Sequence, residues 1–295
     1  MLDFAVRTNR LAIRCPEGTI TEPRRDVTHV IHCIGDSYTM GWGVKFEESY
    51  PYYLGQIAGS EFECLNLGDS GYGLTAAWEK SELLANEYPP EMLIYVFDTF
   101  DFDDDQETKT LMQRGNLRLG MARAKHFFCE HTLLANIPSA IAMQLVYQPI
   151  SDEFAKPAFA EETYPIEALA DEMFHTLNAA ADRLTEPVYN VTTNTLVELK
   201  RSCDDLGRRL VVALFATSEL PSIAIYKIAQ AHDIEILCFP SFPAWRIPGD
   251  GHLNATGNRQ LAAFLAARNF DSGALTERRS RGQVATEPVP EVGAR

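Results

Sequence analysis

The chain has 295 residues and a formal net charge of -15, from 41 acidic and 26 basic side chains. Because this charge repels a polyanion, binding to a nucleic acid backbone is disfavoured. No stretch of about 18 apolar residues is present to span a bilayer, and the first residues lack the apolar region of a signal peptide. We therefore expect a cytoplasmic protein that binds neither nucleic acid nor membrane.

The six cysteines are scattered along the chain without a Cys-x-x-Cys pair. Three of them, Cys33, Cys64 and Cys238, lie inside apolar runs. This pattern predicts reduced core residues and favours neither a disulfide framework nor a zinc site.

Strands and helices are predicted to alternate along most of the chain. After the first 26 residues, which we expect to form a short β appendage, several apolar runs are typical of strands buried on both faces. They are Val27–Ile34, Phe62–Leu67, Met92–Phe97, Arg209–Ala216 and Ile234–Phe239. Apolar residues at three- and four-residue spacing predict helices at Ser49–Ile57, Leu74–Glu87, Pro221–Ala231 and Ala255–Arg268. The alternation predicts a doubly wound α/β domain over residues 27–271, with a parallel sheet covered on both faces.

A long segment between the third and fourth predicted strands does not repeat this unit. We place an insertion at about residues 103–192, much longer than a usual crossover. Its ends look helical, at Gln106–Ala135, Ile166–Leu184 and Thr193–Leu206. A lid, a scaffold extension and a dimer surface are all compatible with it, so a homo-oligomer stays open. Residues 272–295 are polar and contain proline, which predicts a disordered tail.

The first predicted strand runs directly into Gly35-Asp36-Ser37. In an open parallel sheet, ligands bind outside the carboxyl ends of the strands, so this loop lies where chemistry is expected. Gly35 permits a tight exit from the strand, and Ser37 is a candidate nucleophile. Three such common residues also recur by chance, and a Ser or Asp after a strand is often a helix cap.

A second loop supplies the groups that a serine nucleophile needs. Asp250 and His252 lie in a glycine-rich loop directly before the last predicted helix, which Asn254 is placed to cap. A serine hydroxyl is a poor nucleophile until a base takes its proton, and a carboxylate holds that base in the right tautomer. The alternative is that Asp250 and His252 only solvate a turn.

A third loop, Asn66 to Leu74, contains glycines at 68, 71 and 73, whose backbone N–H groups can approach a ligand closely. Together the three loops resemble the SGNH (GDSL-type) hydrolase superfamily, over most of the chain outside the insertion, the appendage and the tail. The resemblance implies a flavodoxin-like three-layer α/β/α sandwich with a central parallel sheet of about five strands.

The resemblance also implies a role for each candidate site residue. Ser37 would be the nucleophile and give its backbone N–H to the oxyanion hole, and Gly71 would give a second N–H. His252 would be the general base, and Asp250 would orient it. The family commonly spaces these two as Asp-x-x-His, whereas Gly251 alone separates them here.

The family's third block is different in this chain. The family places an Asn, usually followed by Asp, after the third strand, and the Asn amide completes the oxyanion hole. Aligned by the strand, these positions fall on Phe100 and Asp101. An ionised carboxylate there would repel an oxyanion, and loss of one donor typically costs roughly a hundred- to a thousandfold in rate. Thr99 offers a hydroxyl donor if the loop shifts.

The acidic run from Asp98 to Asp105 could gather oxygen ligands for calcium or magnesium, but it lacks the glycine and the distal glutamate of an EF-hand loop. We expect a solvated acidic loop, and neither a metal nor a cofactor. His29 and His32 on the first strand are expected to be structural. The candidate substrate-binding residues are Asp36, Trp42, Tyr72, Thr99 and Asp101.

These patterns predict a serine esterase that cleaves a small-molecule or carbohydrate ester through an acyl-enzyme. An O-acyltransferase with the same triad is the near alternative, because only the acceptor of the acyl group differs. A non-catalytic binding protein with this fold is the alternative from another class, because the Asn is missing near Phe100.

Overall fold

The N-terminal segment forms a small antiparallel pair of strands. β1 (Arg7–Thr8) pairs with β2 (Arg14–Cys15), which is the short β structure expected before the main domain. The computed structural model describes residues 5–16, 22–113, 166–184, 187–215, 220–240 and 242–270. Most of the predicted helix Gln106–Ala135 and the whole tail 272–295 lie outside these ranges.

Five parallel strands form the central sheet, in the order β4-β3-β5-β6-β7. They are β3 (His29–Gly35), β4 (Phe62–Asn66), β5 (Met92–Phe97), β6 (Arg209–Phe215) and β7 (Glu235–Phe239). The predicted strands are confirmed, with small shifts at their ends. Every residue of the central strand β5 is buried, which is why the run is apolar without alternation.

Helices cover both faces of this sheet. They are α1 (Ser37–Met40), α2 (Tyr50–Ala58), α3 (Leu74–Ala85), α4 (Asp101–Gln113), α5 (Ile166–Ala181), α6 (Val191–Asp205), α7 (Leu220–Ala231) and α8 (Ala255–Asn269). Buried side chains of α2 and α8 fill the core on one face, and those of α3, α6 and α7 fill it on the other. The predicted flavodoxin-like α/β/α sandwich is confirmed. Among the helices that the structure describes, none has the length and apolar content needed to span a bilayer.

The strand order places a crevice at the carboxyl ends of β3 and its neighbours. The chain passes from β3 to β4 on one side of the sheet and later returns to β5 on the other, so β3 lies at the switch point. The loop after β4 is tied to β3 because the Leu67 N–H donates to the Cys33 carbonyl (2.9 Å) and the Asp69 N–H to the Gly35 carbonyl (3.2 Å). Loops from distant parts of the sequence therefore share this edge.

The acidic run after β5 is not the solvated loop that the sequence predicts. Helix α4 begins at Asp101, and the side chains of Asp101 and Asp105 are fully buried. Asp105 accepts a hydrogen bond from the Thr75 backbone N–H (2.8 Å) at the start of α3. The prediction is wrong because carboxylates also favour the first turn of a helix, and the i, i+4 spacing puts these two on one face.

The histidines of β3 have structural contacts, as predicted. His32 is buried, with Nδ1 2.7 Å from Ser81 Oγ and Nε2 2.9 Å from the Tyr88 carbonyl. Burial lowers the pKa of His32 to about 3, so its neutral form serves both contacts. His29 pairs with Glu91 through Nδ1 at 2.7 Å. The cysteines in the described ranges carry free thiols.

Candidate active site

Ser37 is the first residue of the short helix α1, directly after β3. Gly35 has a φ of +143°, and a Cβ there would lie 2.6 Å from Thr39 Oγ1, so only glycine allows this exit from the strand. Asp36 caps the helix, because its Oδ1 accepts a hydrogen bond from the Tyr38 N–H (2.9 Å). The backbone N–H of Ser37 occupies the first helical position, where an intrahelical acceptor does not exist.

The imidazole of His252 links Ser37 to Asp250. Its Nε2 lies 2.8 Å from Ser37 Oγ, and its Nδ1 is hydrogen-bonded to Asp250 Oδ1. The same carboxylate oxygen accepts from the His252 backbone N–H at 3.3 Å. The Asp250 side chain is 3% exposed and that of His252 is 23% exposed, so the carboxylate is covered while part of the ring stays open. The structure thus brings together the three predicted side chains in the order hydroxyl, imidazole, carboxylate.

The loop that carries Asp250 and His252 is fixed at both ends. The Ile247 N–H donates to the His252 carbonyl at 2.7 Å, and the side chain of Asn254 caps α8, as predicted. Gly251, between the two candidate residues, has a φ of +91°, which glycine adopts readily. This single glycine turns the chain enough for the carboxylate to reach the ring two residues later.

Aromatic and basic side chains surround the imidazole. Trp42 Nε1 donates to Asp250 Oδ2 at 3.3 Å, and the rings of Trp42 and His252 are 6.0 Å apart. The Tyr38 ring lies 5.0 Å from that of His252, and Arg246 Nη1 donates to the Tyr38 hydroxyl at 3.0 Å. Trp42 was predicted as a substrate contact, and the structure places its N–H on the carboxylate. Sequence analysis did not identify Tyr38 or Arg246 as site residues. Tyr38 directly follows Ser37, and Arg246 lies a few residues before His252, so their positions in the sequence could have indicated them.

Gly71 and Tyr72 lie in the loop after β4. A Cβ on Gly71 would meet nothing within 4 Å, so the backbone is open to a ligand there. Lys80 Nζ lies 5.8 Å from the centre of the Tyr72 ring and 3.6 Å from the Asp69 carboxylate. The Asp69 N–H bond to the Gly35 carbonyl holds this loop beside β3. The donor role of Gly71 and the substrate contact of Tyr72 stay predictions.

In the turn from β5 to α4, Asp101 is buried, whereas Asp98 and Thr99 are partly exposed. Thr99 Oγ1 donates to Asp98 Oδ1 (3.2 Å), while Phe100 is 68% exposed. Asp101 is fully buried, and its Oδ2 accepts from the Tyr95 hydroxyl (2.7 Å) and the Asp98 N–H (2.9 Å). The side chain of Asp101 faces the interior at the start of α4, and its contact with substrate stays a prediction. The Thr99 hydroxyl, predicted as an oxyanion donor if the loop shifts, is bonded to Asp98.

The carboxyl groups of Asp36, at the start of α1, and Asp101, at the start of α4, are buried. Asp36 is 5% exposed, and its Oδ2 lies 3.3 Å from Ser37 Oγ, farther than the 2.8 Å that separates this hydroxyl from His252 Nε2. The substrate contact of Asp36 stays a prediction. Burial raises the pKa of Asp36 to about 7, and the charges of Asp98 and Asp104 act in the same direction. Burial, with the charge of Asp36, raises the pKa of Asp101 well above its usual range.

Metal chemistry has no candidate site in the parts of the chain that the structure describes. Within those ranges, no three His, Cys, Asp or Glu side chains are grouped so that they could hold a metal ion.

Fold and side chains together define a doubly wound α/β protein with a serine, histidine and aspartate array at its switch point.

Comparison with known proteins gives matches among solved structures, whereas no family model and no curated protein matches the chain. TesA matches at 10% identity over 81% of this chain and 97% of that chain, with a TM-score of 0.44. A protein of Desulfitobacterium hafniense DCB-2, provisionally assigned as a lipolytic protein of the G-D-S-L family, matches at 9% identity over 81% and 99%, with a TM-score of 0.43. The inhibitor-bound aryl esterase of M. smegmatis matches at 16% identity over 81% and 97%, with a TM-score of 0.37. Similarity at this level does not transfer an activity to this chain.

Proposed function

We propose that this protein is a serine hydrolase that cleaves a carboxylic ester through an acyl-enzyme, in the manner of the SGNH (GDSL-type) hydrolases. The observation that carries the proposal is the 2.8 Å contact between Ser37 Oγ and His252 Nε2, with Nδ1 of the same ring bonded to Asp250 Oδ1. A nucleophile, its base and an orienting carboxylate are recognised by this geometry and not by their order in the sequence.

In acylation, Ser37 Oγ attacks the ester carbonyl carbon while His252 Nε2 takes the hydroxyl proton. The carbonyl oxygen becomes negative, and the backbone N–H groups of Ser37 and Gly71 are the donors proposed to stabilise it. His252 then gives its proton to the leaving alcohol as the carbon–oxygen bond breaks. Asp250 stabilises the positive imidazolium throughout, and the acyl group remains on Ser37.

In deacylation, water attacks the acyl group, His252 takes its proton, and the proton returns to Ser37 as the acid leaves. Every proton transfer uses the chain's own groups, so the proposed reaction needs no cofactor. The proposed substrate is a small-molecule or carbohydrate ester. A strongly negative substrate is disfavoured by the net charge of -15.

A fluorophosphonate probe tests the nucleophile, because attack by an activated serine displaces fluoride and leaves a stable phosphonyl group. We expect labelling of the wild-type chain, mapped to Ser37, that is lost in Ser37→Ala and weakened in His252→Ala. Ser60→Ala, at an exposed serine after α2, is the matched control and keeps full labelling. No labelling at any pH between about 6 and 9 contradicts the proposal.

Product analysis then assigns the acceptor. Release of free acid from acetylated sugars and short-chain esters supports hydrolysis. Transfer of the acyl group to an added sugar hydroxyl instead of water assigns an O-acyltransferase with the same triad.

A non-catalytic binding protein is the second candidate, and the loop after β5 is the observation that favours it. Phe100 stands where the family has its amide donor, and the Thr99 hydroxyl is bonded to Asp98. Saturable binding of an ester, without hydrolysis and without probe labelling, is the result expected from such a protein.

A further inference from the structure

The carboxylate of Asp250 is held from two directions. Its Oδ1 accepts from the ring and the backbone of His252, and its Oδ2 accepts from the indole N–H of Trp42 at 3.3 Å. A covered carboxylate has few water contacts, so its oxygens depend on protein donors. The final torsion of an aspartate side chain is broad, and donors on both oxygens are what fix its plane.

The backbone bonds of the loop, such as that from the Asp250 N–H to the Ile247 carbonyl (3.1 Å), hold the residue but do not set the plane of its carboxylate. Gly249 and Gly251 flank the residue with φ values of +76° and +91°. Glycines on both sides give the chain more conformational freedom than any other residue would. A donor from outside the loop therefore adds a second fixed point for the carboxylate, and Trp42 supplies it from the loop after α1.

Trp42 is itself held by the N-terminal strands. Arg14 on β2 is buried, and its guanidinium donates to the carbonyls of Met40, Gly41 (2.9 Å) and Val44 (2.7 Å). These carbonyls lie on both sides of Trp42 in the sequence, so one planar group fixes the whole turn. The backbone N–H of Trp42 also donates to the Ser37 carbonyl at 2.9 Å.

We propose that Trp42 is a positioning residue for the Asp250 carboxylate, and that Arg14 of the N-terminal strands holds Trp42 in place. The inference rests on the proposed function and deepens it. The indole N–H keeps the carboxylate on Nδ1 of His252, which leaves Nε2 free to accept the Ser37 proton. The first strands of the chain thereby become part of the active-site framework.

The test compares Trp42→Phe with a matched control elsewhere. Trp42→Phe keeps an aromatic ring and removes the N–H. Trp78→Phe removes an indole N–H that donates to a carboxylate at the same 3.3 Å, on Glu82 of α3, away from the site. We expect Trp42→Phe to lower kcat for ester hydrolysis roughly 10- to 100-fold, with KM changed less than about twofold. Trp78→Phe leaves both at the wild-type value.

The action through Asp250 is tested by non-additivity. In an Asp250→Asn background, Trp42→Phe is expected to cause no further loss of kcat, because the carboxylate it positions is already gone. Losses that multiply overturn the proposal. Arg14→Lys, which retains the charge and loses the planar fork, is expected to give a smaller loss of kcat that is absent in the Trp42→Phe background.

A readout without turnover separates this inference from the proposed function. The proton on Nδ1 of His252 is observable by NMR as a downfield resonance, identified by its loss in Asp250→Asn. We expect Trp42→Phe to weaken or lose this resonance and Trp78→Phe to keep it. If the wild-type chain hydrolyses no ester, the proposed function fails and the resonances still decide the positioning. If the wild-type chain is active and both tryptophan variants match it, the positioning is wrong and the function stands.

Discussion

The loops after β3 and after β5 are neighbours on one rim and differ in what they present. The strands pair in parallel up to Gly35 opposite Val96, so both loops leave the sheet at the same level. After β3, Ser37 meets His252 at hydrogen-bond distance. After β5, Asp101 turns inward and Phe100 points outward. Activation of a nucleophile and stabilisation of an oxyanion are therefore separate features, and this chain has the geometry for the first without the side-chain amide for the second.

Removal of the base that contacts Ser37 is expected to have the largest effect. His252→Ala leaves Ser37 without a proton acceptor, and we expect kcat/KM to fall roughly 10⁴-fold or more. Asp250→Asn keeps the ring and removes only the charge that orients it, so a loss of roughly 10²- to 10⁴-fold is expected. Steady-state hydrolysis of a short-chain ester measures both. Small and equal losses in the two variants would contradict the proposed roles of His252 as the base and Asp250 as the carboxylate that orients it.

Asp36, in the loop after β3, is expected to make stability depend on pH. Its pKa is raised from 3.8 to about 7 in the folded state, chiefly by burial. Between about pH 4 and pH 7 the unfolded chain has therefore lost a proton that the folded chain still holds, so this group's contribution lowers the free energy of unfolding as pH rises. The change is on the order of a few kcal/mol.

Asp36→Asn removes this titration and retains a good helix cap. Urea unfolding at several pH values between about 4 and 8 is expected to show a flatter or rising stability in the variant. Asp103→Asn, at an exposed position of α4, is the control and keeps the wild-type pH dependence. A wild-type slope in Asp36→Asn would show that the carboxyl group beneath Ser37 titrates alike in both states.

The two loops also differ in how far the sequence could predict them. Apolar runs without alternation identified the strands, and a parallel sheet brings the ends of β3 and β7 to one rim, so the meeting of Ser37 and His252 could be predicted. The direction of a side chain in a loop depends on the helices packed over it. The sequence predicts a solvated Asp101 after the strand, whereas in the fold this residue is buried and its carbonyl accepts from Thr192 Oγ1 of α6 at 3.3 Å. Trp42 contacts Asp250 from a turn that Arg14 of β2 holds by hydrogen bonds. Because these residues are far apart in the sequence, no local sequence pattern predicts the contact.

Introducing an amide donor into the loop after β5 is expected to raise kcat for ester hydrolysis. Phe100→Asn places a neutral donor where the resemblance to the SGNH hydrolases predicts one. We expect kcat to rise roughly tenfold, since one such donor is worth up to about 10²- to 10³-fold where it is well placed. The exposed ring can be replaced with little change in stability. Phe100→Leu is the control, because it shortens the side chain without adding a donor. Equal rates for the two variants would show that the amide cannot reach the oxyanion from this loop.

The smallest effect is expected at Thr99, whose hydroxyl donates to Asp98 at 3.2 Å. Thr99→Val removes this hydroxyl and keeps the shape of the side chain, and we expect kcat to change less than about threefold because a partly exposed bond of this kind contributes little. Thr99→Ser keeps the hydroxyl and serves as the control. A loss of more than about tenfold in Thr99→Val, without a loss in Thr99→Ser, would mean that the hydroxyl leaves Asp98 for the oxyanion during turnover. The loop after β5 would then supply an oxyanion donor only when substrate is bound. The lack of a donor in this loop would be a property of the protein without substrate.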